Sequence, residues 1–202
     1  PLVYLLGPRG GGTSVTVLLL AGVAITARSG AVIGLLTYLA DDQMLRNLSL
    51  WQMGSLAAGK PVDVGLALLT LVALLWLFMR DANPLNALLL GEGEARHLGV
   101  NVQCLKRRLI LLTAAGVGVA VAVAGMIGFV GLVVPHLVRL LAGPNHVRLL
   151  PLSALLGAAL LLGADMLART LLAPAEMPVG IITALLGAPF FIWLLIKSRR
   201  TL

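Results

Sequence analysis

A single cysteine, Cys104, stands among 202 residues. No disulfide can therefore close within the chain, and no cysteine-based metal centre can form. Charge is nearly as scarce. Asp, Glu, Lys and Arg make up 11% of the residues, where a soluble domain carries about a quarter. Aromatic residues reach only 4%, and the basic residues sit between apolar runs. A net charge of +7 is then poorly explained by nucleic-acid binding. The three histidines, His97, His136 and His146, show no HExxH-type spacing, and neither a metal site nor a Ser-His-Asp set is visible. There is no initial Met and no signal-peptide pattern. The chain starts at Pro1 and reads as part of something longer.

What remains is apolar. Hydrophobic residues are 59% of the chain and the mean hydropathy is +1.02. The useful count is then of membrane spans, each about 20 residues long. Apolar runs cover Val15 to Ala40, Val62 to Met79, Leu109 to Ala142, Leu149 to Ala173 and Met177 to Ile196. The third is too long for one helix at about 1.5 Å per residue. It is expected to break at Gly125-Met126-Ile127-Gly128, giving two spans joined by a tight turn, and about six spans in all.

Charge placement supports that count. With Arg80–Arg108 in the cytoplasm, six spans bring Arg9, Arg139 to Arg148 and the Lys197-Arg199-Arg200 tail to the same side. Asp41, Asp42, Arg46, Lys60, Asp63 and Glu176 fall on the other. Lys and Arg gather on one face, as the positive-inside rule requires. A five-span count puts the basic tail on the wrong side. The fold class is therefore all-α, a polytopic transmembrane helical bundle. "RNLSLWQMGSLAAGK" is too polar to cross and reads as a short surface helix with Trp51 near the interface.

Several polar features invite a functional reading. "GSLAAGKP" fits the G-x-x-x-x-G-K of a phosphate loop, but Pro61 stands where Ser or Thr should bind magnesium, and no strand precedes it. Cys104 neighbours Lys106-Arg107-Arg108, which favours a thiolate; the plainer reading is a small residue near a helix start. Arg28 lies about a dozen residues into its span, where a charge is costly and is a functional candidate by default; it either lines a pathway or makes a structural pair. Asp165 and Arg169 are one helical turn apart and can pair; the alternative for Arg169 is an outer docking charge. Finally, "LGEGEARHLGV" is a charged island between oily runs. Asn83-Pro84 can start one short helix that Gly91 stops, and "EGEARHLG" a second that Gly99 ends. Leu88, Leu89, Leu90 and Leu98 beside them are apolar residues that a plain solvated loop would not expose.

The longer stretches "GEGEARHLGVNV", "VAGMIGFVGLVVPHLVRLLAGPNHVRLLPLSALLGA" and "ADMLARTLLAPAEMPVGIITALLGAPFFIWLL" resemble the permease subunits of iron-chelate, haem and vitamin B12 ATP-binding-cassette importers, the FecCD type. The resemblance runs from about Leu18 to the C-terminus. It implies a helical permease of about ten spans, working as a homodimer in a bacterial inner membrane, multi-pass, with its C-terminus cytoplasmic. Residues 1–202 are then a single transmembrane permease domain, the C-terminal part of the whole, with a cytoplasmic coupling segment at 81–106. Two cytoplasmic ATPase subunits would drive it and a periplasmic substrate-binding protein would deliver the cargo. The chain itself would be a transport subunit and not an enzyme, with no cofactor of its own; ATP and magnesium belong to the ATPase.

The same resemblance assigns roles by position. Glu92, Gly93, Glu94, Ala95, Leu98 and Gly99 match the segment that couples to the ATPase. Arg169 matches an outer arginine that meets a binding-protein carboxylate. The first span matches the helix lining the central pathway, with Ser14 and Thr16 near its cytoplasmic gate and Arg28 and Ser29 farther along. His136 and Arg139, in "VPHLVRL", are read as structural. Arg28 and "GLLTYLADDQMLRNLSLWQMGSL" look more like haem permeases than cobalamin permeases, so haem is the favoured cargo, with cobalamin or a ferric siderophore as alternatives. A secondary transporter or channel without an ATPase is the alternative from another class. An intramembrane enzyme lacks an acid–base set.

Overall fold

The structure is a computed structural model that describes residues 15–57, 59–171 and 177–199. Its regular elements are helices: α1 (Val15–Leu39), α2 (Asp42–Gln52), α3 (Pro61–Arg80), α4 (Ala82–Leu88), α5 (Glu92–His97), α6 (Val102–Ala124), α7 (Val130–Ala142), α8 (His146–Leu171) and α9 (Val179–Arg199). No strand occurs among the described residues. The all-α, polytopic reading of the sequence holds. The chain divides into two compact units, Pro1–Ser49 and Leu50–Leu202.

In the first unit α1 is a 25-residue helix, apolar and unbroken. Thr26 and Thr37 satisfy their hydroxyls on the carbonyls of Gly22 and Ile33, one turn back, at 2.9 and 2.7 Å. Such back-bonding lets a hydroxyl sit in an apolar helix without an orphaned donor. The short helix expected over Arg46–Lys60 is found as α2, which starts earlier, at Asp42, and stops at Gln52; the Asp41 carboxylate starts it by accepting the Met44 N–H at 2.8 Å.

The second unit is built around α8. Its first half packs on α7 through Leu149 against Val134 and Val138. Its second half packs on α9 through Ala164 and Ala168 against Val179 and Ile182. Small residues there let two backbones approach closely. Helix α3 lies along α6, and its outer face is apolar and open, with Leu69 70% exposed. A lipid-facing helix has that pattern, since lipid tails are the solvent it meets. Residues Leu19–Leu39, Pro61–Arg80, Val102–Ala124 and His146–Leu171 are long and apolar enough to cross a membrane.

The third apolar run departs from expectation. It breaks where glycine suggested, but the second piece is not a full span. Helix α7 has 13 residues, about 20 Å at 1.5 Å per residue, against a hydrocarbon core of about 30 Å. The rest of the distance is covered by non-helical chain. Gly125 and Met126 sit beside Trp51, Gly54 and Gly180, whereas Phe129 sits against Gly187. Those two glycines of α9 are about 10 Å apart along their helix. The crossing is therefore an irregular descent, Gly125–Phe129, followed by a short helix. Such backbone is tolerated at membrane depth only where protein or a cavity surrounds it.

The top of this descent is a glycine-lined node. Gly54 and Gly125 hold φ of +73°, a region closed to most side chains. The Ser55 N–H donates to the carbonyl of Ala124 at 2.9 Å, closing one of the free carbonyls at the end of α6. A Cβ on Gly125 or Gly180 would fall on the backbone oxygen of Trp51 or Met53 respectively. An apolar cavity of about 710 Å³ opens beside the node, between Met53, Met126, Gly128 and the Gly180–Pro189 stretch of α9.

Candidate functional site

The charged island folds as two short helices, as its sequence suggests. Asp81 ends α3 and its carbonyl accepts the Leu85 N–H at 2.9 Å to begin α4. Gly91, at φ +105°, separates α4 from α5, and Gly99, at φ +82°, ends the turn after α5. Asn101 then caps α6 by accepting the Cys104 N–H at 3.1 Å, one of the unpaired amides of a helix start. Helix α6 begins at Val102, several residues before the expected start of the apolar run, so the end of the 81–106 segment is already its first turn. Cys104 is exposed within that turn.

The island is tied down at its inner side. Asp81 is 1% exposed and pairs with Arg108 of α6. Glu92, the first residue of α5, pairs with Lys106 of α6 and lies 4.0 Å from Arg96 one turn on. The hydrogen bond from the Lys106 ammonium, and then its charge, hold the Glu92 carboxyl below the ordinary carboxylate range. Asn86 of α4 bonds to Asn145 and His146 at the start of α8. These bonds place Arg80, Arg108, Arg139 and Arg148 at one end of the unit. Lys60, Asp63, Asp165 and Arg169 stand at the other ends of the same helices.

Outward, the island presents Leu89, Leu90 and Leu98, which are 51%, 67% and 63% exposed. Gly93, Glu94, Arg96 and His97 are exposed around them. The result is an apolar patch rimmed by charge, larger than the singly scattered apolar residues of an ordinary loop. Of the expected coupling residues, Glu92, Gly93, Glu94, Leu98 and Gly99 lie on this face. Ala95 does not: it is fully buried and seats α5 against the rest of the unit. In a helix of six residues only one inward position is needed to fix the orientation.

The remaining candidates lie elsewhere. Arg28 and Ser29 are exposed on α1, and among the described residues their side chains have no hydrogen-bond or ion-pair partner. Ser14 lies outside the described residues, and Thr16 is within α1, its side chain outside the description. Arg169 donates from Nε to Asp165 Oδ2 at 2.8 Å, and its side chain is still 53% exposed. The pair expected from the spacing is thus formed, with the guanidinium open to an outer partner. His136 meets Phe190 edge to face, ring centres 6.4 Å apart, which fits a packing role. The Gly54–Pro61 stretch follows a helix and not a strand, and Lys60 donates its N–H to Asp63 at 3.0 Å. Among the described residues of that stretch no phosphate loop is built.

The residues that sequence reasoning missed are Asp81, Asn86 and Asn145. Asp81 was the one with a signal, an acid at the edge of an apolar run next to Arg80.

Comparison with known proteins agrees with this picture. Residues 1–197 match the FecCD transport family. The hemin transport system permease protein HmuU of Yersinia pestis is 55% identical over 91% of this chain and 55% of its own length. The vitamin B12 import system permease protein BtuC of Vibrio cholerae is 48% identical over 90% of this chain and 55% of its own. The chain thus spans about half the length of the curated relatives it matches. Among solved structures, one described as a metal-chelate type ABC transporter in an inward-facing conformation superposes with a TM-score of 0.87 at 36% identity. It covers 97% of this chain, which spans 62% of that one. A match that runs over almost every residue, carried by the same helical order, makes this chain a member of the FecCD transport family.

Proposed function

We propose that the complete protein is the membrane permease of an ATP-driven importer that carries an iron chelate, haem first, inward across a bacterial inner membrane. The observation that carries the reading is the inner surface. A leucine patch rimmed by charge, on two short helices tied to α6 and α8, is what a membrane protein needs to receive motion from a soluble partner. That partner would be a cytoplasmic ATPase, present in two copies with two permeases. ATP and magnesium would sit on the ATPase, and this chain would perform no chemistry.

Orientation follows from charge. The arginine-rich end of the second unit would be cytoplasmic, which leaves the C-terminus cytoplasmic as well. Arg169, at the opposite end of α8, would then face a periplasmic binding protein and offer its exposed guanidinium to a carboxylate. The pathway would run between the permease copies along α1, with Ser14 and Thr16 toward its inner gate. Arg28 and Ser29 would pass the propionates of haem by weak, transient contact. ATP binding would close the ATPases, shift the docking face and re-orient the pathway helices in an alternating-access cycle.

Haem is favoured by the greater likeness to a hemin permease than to the vitamin B12 permeases. Cobalamin is the second reading, supported by 48% identity to one of those. The test reconstitutes the full-length permease with its ATPase and binding protein in liposomes. ATP-dependent haem uptake is expected, and Glu94→Arg, which reverses a charge on the exposed face, is expected to abolish it in an assembled complex. Uptake that needs neither ATP nor the ATPase points to a secondary transporter and sinks the proposal. ATP-driven uptake of cobalamin alone keeps the permease and changes the cargo.

A further inference from the structure

A docking surface is useful only if its motion reaches the spans. Charge joins the island to α6, but the tie to α8 is uncharged and of a different kind. Asn86 Oδ1 accepts the backbone N–H of His146 at 2.8 Å. Its Nδ2 donates to Asn145 Oδ1 at 2.9 Å. His146 Nδ1 lies 2.9 Å from the same Asn86 oxygen, a hydrogen bond whenever that nitrogen carries a proton. Asn145 is itself the start of α8: its side chain accepts the Val147 N–H at 3.0 Å and its carbonyl accepts the Leu149 N–H at 2.9 Å.

The first amides of a helix have no partner within it. Here one of them is satisfied by a side chain from another helix, 60 residues away in sequence. The need is sharpened by Pro151, inside α8. Proline has no N–H, so the carbonyl of Val147 receives no i+4 bond and the first turn of α8 holds itself less firmly.

We propose that Asn86 is a positioning residue that clamps α4 to the N-terminus of α8, so that displacement of the docking surface is delivered along α8. The clamp acts on the His146 backbone N–H, which points along the helix axis, the direction in which a helix is stiff, and on the capping side chain of Asn145. Helix α8 has 26 residues, about 39 Å at 1.5 Å per residue. It carries α7 on its first half, α9 on its second and the Arg169 guanidinium at its far end. One rod would thus join the ATPase side to the binding-protein side. This inference rests on the permease reading above.

The test uses the full-length permease with its ATPase and binding protein in liposomes, with haem and then cobalamin as cargo. The readout is cargo delivered per ATP hydrolysed, beside hydrolysis alone. In Asn86→Ala, hydrolysis stimulated by the binding protein is expected to stay within about twofold, while cargo per ATP falls about tenfold or more, as the loss of two hydrogen bonds implies. Asn86→Leu, which keeps the branched shape and removes the polar atoms, is expected to behave alike and decides the matter if the alanine variant does not assemble. A wild-type ratio in the Asn86 variants overturns the clamp. So does a fall of uptake and hydrolysis in equal proportion, or loss of the complex in both variants, which is what a merely structural residue would give. A wild-type complex with no ATP-dependent uptake of either cargo sinks the permease reading itself.

Discussion

Replacing Gly180 by alanine adds one methyl group at the N-terminal turn of α9. That methyl would fall on the backbone oxygen of Met53, with the Met53 carbonyl carbon at 3.1 Å and the Met126 oxygen at 3.3 Å. All three obstacles are backbone, so no rotamer change relieves them. The α2–α3 turn, the Gly125–Phe129 descent or α9 has to move. Overpacking of this kind costs about 1–3 kcal/mol, and the gain in helix propensity from Gly to Ala, at most about 1 kcal/mol, offsets only part of it. Gly116→Ala on α6 is the matched control. Its methyl meets the Leu74 Cδ1, the end of a flexible side chain that can turn aside, so the propensity gain should decide and the variant should be neutral or slightly stabilised. The assay is thermal denaturation of the full-length permease in detergent, read as retained monodisperse protein. Gly180→Ala is expected to denature several degrees below wild type and Gly116→Ala at or slightly above it. A Gly180→Ala protein as stable as wild type would refute the reasoning that backbone, and not side chains, fills the node.

Two further expectations concern the candidate site. Because Lys106 holds Glu92 below its ordinary value, the tie between α5 and α6 should be intact above the ordinary carboxylate pKa of about 4.3 and lost as pH falls through the lower folded value. Hydrogen exchange of the Ala95–Gly99 amides, corrected for intrinsic rates, should rise in acid in the wild type and show no such step in Glu92→Gln; a step that survives the substitution refutes the assignment. Arg28→Ala should lower ATP-driven haem uptake while leaving ATP hydrolysis in place, and unchanged haem uptake removes Arg28 from the pathway.

Much of the fold was legible because a bilayer reduces the problem to counting. Long apolar stretches predict helices, and charges predict their ends. Gly91, Gly99 and Gly125 were readable as breaks because each holds a positive φ. The shortness of α7 was not readable. Hydropathy counts apolar residues, and Met126, Ile127 and Phe129 are as apolar outside a helix as in one. The exposed leucine patch was legible from leucines out of place, but the direction of Ala95 was not, since a helix of six residues has too few turns to show a periodic face. Asp81–Arg108 and Asn86–Asn145 join residues 27 and 59 apart in sequence. Pairs at that separation have no local pattern, and asparagine beside proline ordinarily signals only a helix start.

The irregular descent has a consequence for how the chain is made. A translocation machinery reads hydrophobic length as the chain emerges, and the 13 residues of α7 are too few to be held in a bilayer by their own partition energy. Helix α7 should therefore enter together with α6 or α8 as a hairpin. The cradle that shelters Gly125–Phe129 is assembled in order of synthesis: the Gln52–Gly54 turn comes first, the descent next, and Gly180 of α9 last. Until that final helix is in place, the irregular backbone has one wall missing. Completion of this cradle is thus timed to the arrival of α9, and a chain arrested before α9 should present this stretch to the quality-control proteases of the membrane.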